Sequence, residues 1–290
     1  MSQQSIGIGI TTKDRWDDLS VTLERLRQNG LDRFETIVID DGSSRQMPPA
    51  FPSRFEWVTF ERCQSARGYI AQRNRLAHML SSELYLSLDD DSYPAPHAGL
   101  DQAAAWLIAK RDAVALAFVI HTPSSEHAEF CLRRADRPYP VRYYIGCAHM
   151  LKRQLFCNLG GYTESLYYYG EEIDFALKAW NQGFHVYKYP AVVVIHDKSP
   201  AGRDSASAIR FFTRNRAWVF FWRCPFPLFV LRLLSHVPLM LRHKGHRSHW
   251  KFVLQGYFEA CIGFTRVARY RNPLTLRRYI AWLKKPLDLQ

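Results

Sequence analysis

The sequence contains no Cys-x-x-Cys pair, no internal repeat, no long uncharged apolar run, and few acidic residues in its last third. Each absence excludes something. The six cysteines (Cys63, Cys131, Cys147, Cys157, Cys224, Cys261) are scattered, which argues against a zinc site or a disulfide framework and for free thiols in a reducing compartment. The longest uncharged apolar stretch of the tail, Cys224 to Leu231, holds two prolines. It falls far short of the roughly 20 residues that a membrane span requires. Met1 to Gln4 lead straight into an apolar segment, without the basic and then apolar leader of a signal peptide. A cytoplasmic location is the default expectation.

Acid is missing from one part of the chain only. From Ser199 onward 17 Lys and Arg face 3 Asp and Glu, a surplus of +14, whereas residues 1–198 carry 22 basic and 24 acidic side chains, a net of −2. The chain therefore reads as a near-neutral globular part, residues 1–200, followed by a basic region, residues 201–290. Such asymmetry points to an anionic surface as partner, membrane or nucleic acid. With 290 residues and 47% apolar content, a substantial core is available for one large domain, or for a domain with an appendage.

The apolar pattern predicts strands at Ile6 to Ile10, Thr36 to Ile39, Trp57 to Phe60, Leu84 to Leu88 and Ala113 to Ile120. Helices are expected over Arg15 to Gln28, where Leu19, Leu23 and Leu26 share a face, and over Ser65 to Leu80. Later come a strand from Tyr143 to Leu151 that contains Gly146, a helix over Glu171 to Gln182 stopped by Gly183, and a last strand, Val192 to Ile195, before His196. This alternation predicts an α/β fold, a mostly parallel open sheet with flanking helices. Beyond about Asp204, Arg alternates with Phe, Trp and Leu, the pattern of helices lying in a membrane interface.

In open α/β sheets ligands bind at the carboxyl ends of the strands. Thr11-Thr12, Asp40-Asp41 and Asp89-Asp90-Asp91 all fall there. Three adjacent carboxylates after an apolar strand repel one another and call for a cation. A divalent ion, Mn²⁺ or Mg²⁺, held by one or two of them and completed by substrate oxygens is the usual way to neutralise a diphosphate. Side chains alternate along a strand, so Asp89 and Asp91 can address one ion while Asp90 points elsewhere.

Five segments occur in the order and spacing of a known family: the Ile-Gly-Ile-Gly-Ile-Thr-Thr start, Val-Ile-Asp-Asp-Gly-Ser, Gly68 with Arg73-Asn74, Leu-Asp-Asp-Asp, and Tyr-Gly-Glu-Glu-Ile-Asp-Phe. Over residues 5–200 the chain resembles the family-2 glycosyltransferases of the GT-A (Rossmann-like) fold. Arg214-Asn215-Arg216 and the basic aromatic tail resemble the bacterial members that build surface polysaccharides. The resemblance implies a nucleotide-sugar donor, with a UDP- or TDP-linked sugar favoured, and a glycan or lipid-linked acceptor. It implies that Thr11 and Asp41, with Asp40, contact base and ribose, that Gly68, Arg73 and Asp90 lie along the nucleotide, and that Asp91 with Asp89 holds the metal. His196 stands where some members place a third metal ligand.

Glu171-Glu172 matches the family's acidic pair, whose second member is the general base; here that position is Glu where Asp is usual. Inverting transfer needs one carboxylate to take the acceptor proton, and Glu172 is expected in that role with Glu171 next to it. Asp174 and Tyr169, within Tyr167-Tyr168-Tyr169, are expected near the acceptor. Two rivals come from other classes. A haloacid-dehalogenase-like phosphatase would use Asp89 as nucleophile, but Tyr93 stands where Thr or Val is expected and three strands precede the motif. A non-catalytic basic binder of membrane or nucleic acid leaves the aspartate cluster unexplained, so no nucleic acid is expected as a partner.

Overall fold

The computed structural model describes residues 5–123, 137–198, 205–242 and 249–287. Its strands are β1 (Ile6–Thr12), β2 (Glu35–Asp40), β3 (Val58–Arg62), β4 (Leu84–Asp89), β5 (Ser92–Pro94), β6 (Ala113–His121), β7 (Tyr139–Val141), β8 (Ala148–Lys152) and β9 (His185–His196). They form one sheet in the order β3-β2-β1-β4-β8-β6-β9-β5, with β7 paired to β9. Parallel pairing joins β3, β2, β1 and β4, and also β6 with β9. The pairs β4–β8, β6–β8, β5–β9 and β7–β9 are antiparallel, so the sheet is mixed where the sequence suggested a mostly parallel one. The short β5 and β7, invisible in the apolar pattern, are the source of two of those antiparallel pairs.

Alternation along the strands sends Ile6, Ile8 and Ile10 to one face of the sheet, and Ile37 and Ile39 to the other. Helices α1 (Trp16–Gln28), α2 (Phe51–Arg54) and α4 (Leu100–Ala109) contribute to the first face. The expected apolar stripe of α1 is there: Leu19, Leu23 and Leu26 are all fully buried. Helices α3 (Tyr69–Met79), α5 (Arg153–Asn158) and α6 (Glu171–Asn181) cover the second. Gly9 of β1 permits the close approach of α3. A Cβ there would stand 2.6 Å from the Tyr85 ring and 3.2 Å from Leu76.

The basic region folds into α7 (Ser205–Arg223), α8 (Leu228–Arg242), α9 (Trp250–Val267) and α10 (Leu276–Leu283). Trp218, Trp222, Val267, Tyr279 and Trp282 join the same apolar cluster as Phe175 and Leu177 of α6. Asp174 and Arg223 are ion-paired at 2.7 Å across this junction. Among the described residues no helix is long and apolar enough to cross a membrane. Cys63, Cys147, Cys157, Cys224 and Cys261 are free thiols; Cys131 lies outside the described residues.

Candidate active site

The topology reverses direction at β1, with β2 on one side and β4 on the other, and the polar strand ends meet there. Thr12 is in register with Asp40, and Thr11 with Asp89. His196 arrives from far along the chain. The antiparallel β5–β9 pair sets it opposite Ser92, directly after Asp91. One ligand atom from each of Asp89, Asp91 and His196 lies within 4.8 Å of the others.

Each outer aspartate is gripped by an arginine. Arg15 Nη2 donates to Asp91 Oδ2 at 2.7 Å, and Asp91 Oδ1 faces His196 Nε2 at 3.1 Å. Arg73 Nη2 donates to Asp89 Oδ1 at 2.5 Å, while a third of the Asp89 side chain remains exposed. Burial alone would raise the Asp91 carboxyl, but His196 and Arg15 hold it well below the carboxylate range. It is therefore an anion at any ordinary pH. Two carboxylates and one imidazole suit Mn²⁺ or Mg²⁺. His196 Nδ1 has no hydrogen-bond partner among the described residues, and Nε2 is the ring nitrogen turned toward Asp91. The donor set fits the cation.

Asp90, in the turn between β4 and β5, is not part of that cluster. Thr12 Oγ1 donates to its Oδ2 at 2.8 Å, Arg15 Nη1 lies 3.0 Å from its Oδ1, and Thr22 caps its carbonyl. Burial pushes its pKa up to about 8 in spite of Arg15. Asp90 is 4% exposed, and its carboxyl is held within the protein by Thr12 and Arg15.

The nucleotide-side residues lie one strand over. Asp40 accepts from the Ser43 amide at 2.9 Å and hydroxyl at 2.5 Å, closing the turn after β2. Asp41 accepts from the amides of Arg67 and Gly68 at 2.8 and 2.9 Å and from Gln72 Nε2 at 2.6 Å. It therefore fixes the loop that leads into α3. Gly68 has φ 87°, the left-handed region open to glycine, and its missing Cβ would touch the Tyr167 ring at 2.9 Å. Thr11 is buried at the strand end beside Asp89. Arg73, on α3, is buried, with 2% of it exposed.

Arg73 reaches further. Its Nη1 donates to Glu171 Oε1 at 2.9 Å and its Nη2 also to the Gly146 carbonyl at 2.8 Å. Tyr69 donates to Glu171 Oε2 at 3.2 Å. Burial, and then the Glu172 charge, raise the Glu171 carboxyl well above its ordinary range against the pull of Arg73. Burial raises Glu172 likewise. Glu172 is half-buried and Glu171 fully buried, so Glu172 is the more accessible of the pair. Asp174, expected near the acceptor, is fully buried, accepting from Thr163 at 2.6 Å and Arg223 at 2.7 Å. The ion pair with Arg223 links α6 to α7. Tyr167 and Tyr169 are exposed on the loop before α6, both at positive φ.

Sequence reasoning missed three contributors. Arg15 was read as a helix start, Tyr69 as part of a helix, and Gly146 as a residue within a strand. A Cβ on Gly146 would lie 2.3 Å from Glu172 Oε1, so glycine there makes room for the carboxylate. Each acts through a partner many residues away, and no local pattern marks such pairing.

Comparison with known proteins agrees with this geometry. The structure is similar to GalNAc-T7 with UDP, GalNAc and Mn²⁺ (TM-score 0.64, 16% identity, 95% of this chain and 60% of that chain covered). It thus spans less than two thirds of that chain. It is similar to the mannosyltransferase PcManGT of Pyrobaculum calidifontis in complex with GDP-Man and Mn²⁺ (0.58, 17%, 93% and 79%). It also resembles S. aureus TarS residues 1–349 in complex with UDP-GlcNAc (0.55, 13%, 92% and 90%). Curated protein sequences yield no match. The profile described as Glycosyl transferase family 2 matches residues 8–164, more than half of the chain. With the GT-A-like sheet and the carboxylates at its strand ends, this match identifies the chain as a member of glycosyl transferase family 2.

Proposed function

We propose that the chain transfers a sugar, with inversion, from a nucleotide-diphosphate sugar to a hydroxyl of a glycan or lipid-linked acceptor. The observation that carries this reading is the single guanidinium of Arg73, which ties the candidate metal carboxylate Asp89 to the acidic pair Glu171-Glu172. Donor cation and base belong to one cleft. The relatives' ligands, UDP, GDP-Man and UDP-GlcNAc, support a nucleotide-sugar donor, and a UDP- or TDP-linked one is our preferred choice. Asp89, Asp91 and His196 would hold the divalent cation, whose charge would stabilise the leaving diphosphate. Thr11, Asp40, Asp41 and Gly68 shape the nucleotide side.

Glu172 takes the acceptor hydroxyl proton as that oxygen bonds to the anomeric carbon from the face opposite the diphosphate. The anomeric C–O bond breaks and its electron pair leaves with the nucleoside diphosphate. The raised carboxyl of this pair makes a stronger base than an ordinary glutamate. Thermal-shift measurement with UDP-, TDP- and GDP-sugars, with and without Mn²⁺, tests the donor site. Metal-dependent stabilisation is expected; its absence with every nucleotide would sink the reading. Glu172→Gln is expected to keep donor binding and lose transfer.

The reading includes a place for the enzyme, peripheral on the inner face of the cell membrane. Leu231, Leu234 and Leu239 on α8, and Leu254, Phe258 and Ile262 on α9, are exposed at helical spacing within the basic region. Sedimentation with phosphatidylglycerol vesicles, but not with phosphatidylcholine vesicles, is the expected result. Equal recovery with both would argue for a protein partner instead.

A further inference from the structure

Asn215 lies in the middle of α7, fully buried, and its amide does not serve that helix. Its Nδ2 donates to the carbonyls of Leu166, Tyr168 and Tyr169 at 2.9, 2.6 and 2.7 Å. Two amide hydrogens serve three acceptors, so one is shared. The orientation of the amide is set independently: Arg214 Nε donates to Asn215 Oδ1 at 2.9 Å, and Arg214 Nη2 adds a bond to the Leu166 carbonyl at 2.8 Å.

The segment so held is a costly one. Tyr167 and Tyr169 occupy the left-handed region at φ 62° and 68°, which side-chain-bearing residues avoid. Such a backbone persists only where its surroundings over-determine it. Three carbonyls curled onto one amide do so from the α7 side. On the other side, the Tyr169 amide donates to Tyr69 Oη at 2.9 Å, and that hydroxyl donates in turn to Glu171. Gly170 then opens α6 with Glu171 and Glu172 as its first residues. The segment also rests on Gly68, whose amide Asp41 holds. It therefore touches the nucleotide loop at one end and the acidic pair at the other.

We propose that Asn215 is a positioning residue: through the Leu166–Tyr169 carbonyls it fixes the strained loop that aims Glu171 and Glu172 into the cleft. The basic helical region thereby takes part in the reaction and is more than an anchor. The inference rests on the base assignment made above. An asparagine suits the place because a neutral, short donor satisfies buried carbonyls without bringing in a charge.

The full-length protein with Asn215→Ala, and with Asn215→Ser as a one-donor substitute, tests this. Hydrogen–deuterium exchange over residues 166–172 is expected to rise at least tenfold in Asn215→Ala and less in Asn215→Ser, with β1 and β4 unchanged. Carboxyl ¹³C titrations of Glu171 and Glu172 are expected to move down toward the ordinary glutamate range as water enters. Mn²⁺-dependent hydrolysis of UDP-GlcNAc, UDP-glucose and GDP-mannose is expected to lose at least tenfold in kcat, with KM within twofold. Unchanged exchange or unchanged titration would overturn the proposal, and so would faster exchange with undiminished kcat. If the wild type turned over none of these donors and bound no nucleotide, the proposed function would fail instead; exchange and titration would still decide the role of Asn215.

Discussion

Asp89 and Glu171 share one guanidinium: Arg73 donates to the first at 2.5 Å and to the second at 2.9 Å, with its own side chain 3% exposed. A buried guanidinium bound by two acidic side chains is costly to remove, because its partners are left without it. Arg73→Gln is expected to lower stability by about 3–5 kcal/mol, the range for breaking a buried pair. Arg73→Lys keeps the charge but not the fork, and is expected to fall between. Calorimetric unfolding of the three proteins in EDTA checks the order.

Gly146→Ala places a methyl group 2.3 Å from Glu172 Oε1 and 3.2 Å from Arg73 Nη1. The carboxylate must move. Donor-dependent turnover is expected to drop at least a hundredfold while Mn²⁺–UDP binding, measured by calorimetry, stays within threefold of wild type.

Asp90 predicts a pH dependence. Its carboxyl stays protonated in the folded protein up to about pH 8, whereas an unfolded aspartate loses its proton near pH 4. Between those values the folded state binds more protons than the unfolded one. The stability that this group contributes is therefore full below about pH 4 and is lost as pH rises toward 8. In EDTA the Tm is expected to fall across that window. Asp90→Asn, which cannot ionise, is expected to flatten the decline; an unaltered slope would assign it to other groups.

The Asp174–Arg223 pair fastens α6 to α7, with both side chains almost completely buried. Arg223→Met leaves Asp174 with Thr163 and a distant Lys178. A loss of about 3–5 kcal/mol is expected. Tryptophan fluorescence during urea unfolding reports it, because Trp218 and Trp222 lie on α7.

Much of this protein was readable without coordinates. Strand-ending motifs such as Asp40-Asp41 and Asp89-Asp90-Asp91 mark a ligand edge, because an apolar strand that stops in carboxylates has few other uses. Helix spacing placed Leu19, Leu23 and Leu26 in the core. The acid-poor tail was legible as helical and basic. Its packing was not: tryptophans that suited a membrane interface, Trp218, Trp222 and Trp282, are buried in the apolar cluster that also holds Phe175 and Leu177 of α6. An amphipathic pattern says that a face is apolar, not what covers it.

By itself the sequence determined the local chemistry: which residues carry charge, which segments alternate, and in what order the acidic motifs come. The tertiary structure alone decided the pairings. Arg15 with Asp91, Arg73 with both Asp89 and Glu171, and Asn215 with the Tyr168 and Tyr169 carbonyls join residues far apart in the chain. Such contacts depend on strand order and on where helices cross the sheet, and spacing along the chain encodes neither. The aspartate triplet is a strand end in the sequence; in the fold Asp89 and Asp91 converge with His196, Arg73 and Arg15 steady them, and Asp90 is held by Thr12 and Arg15.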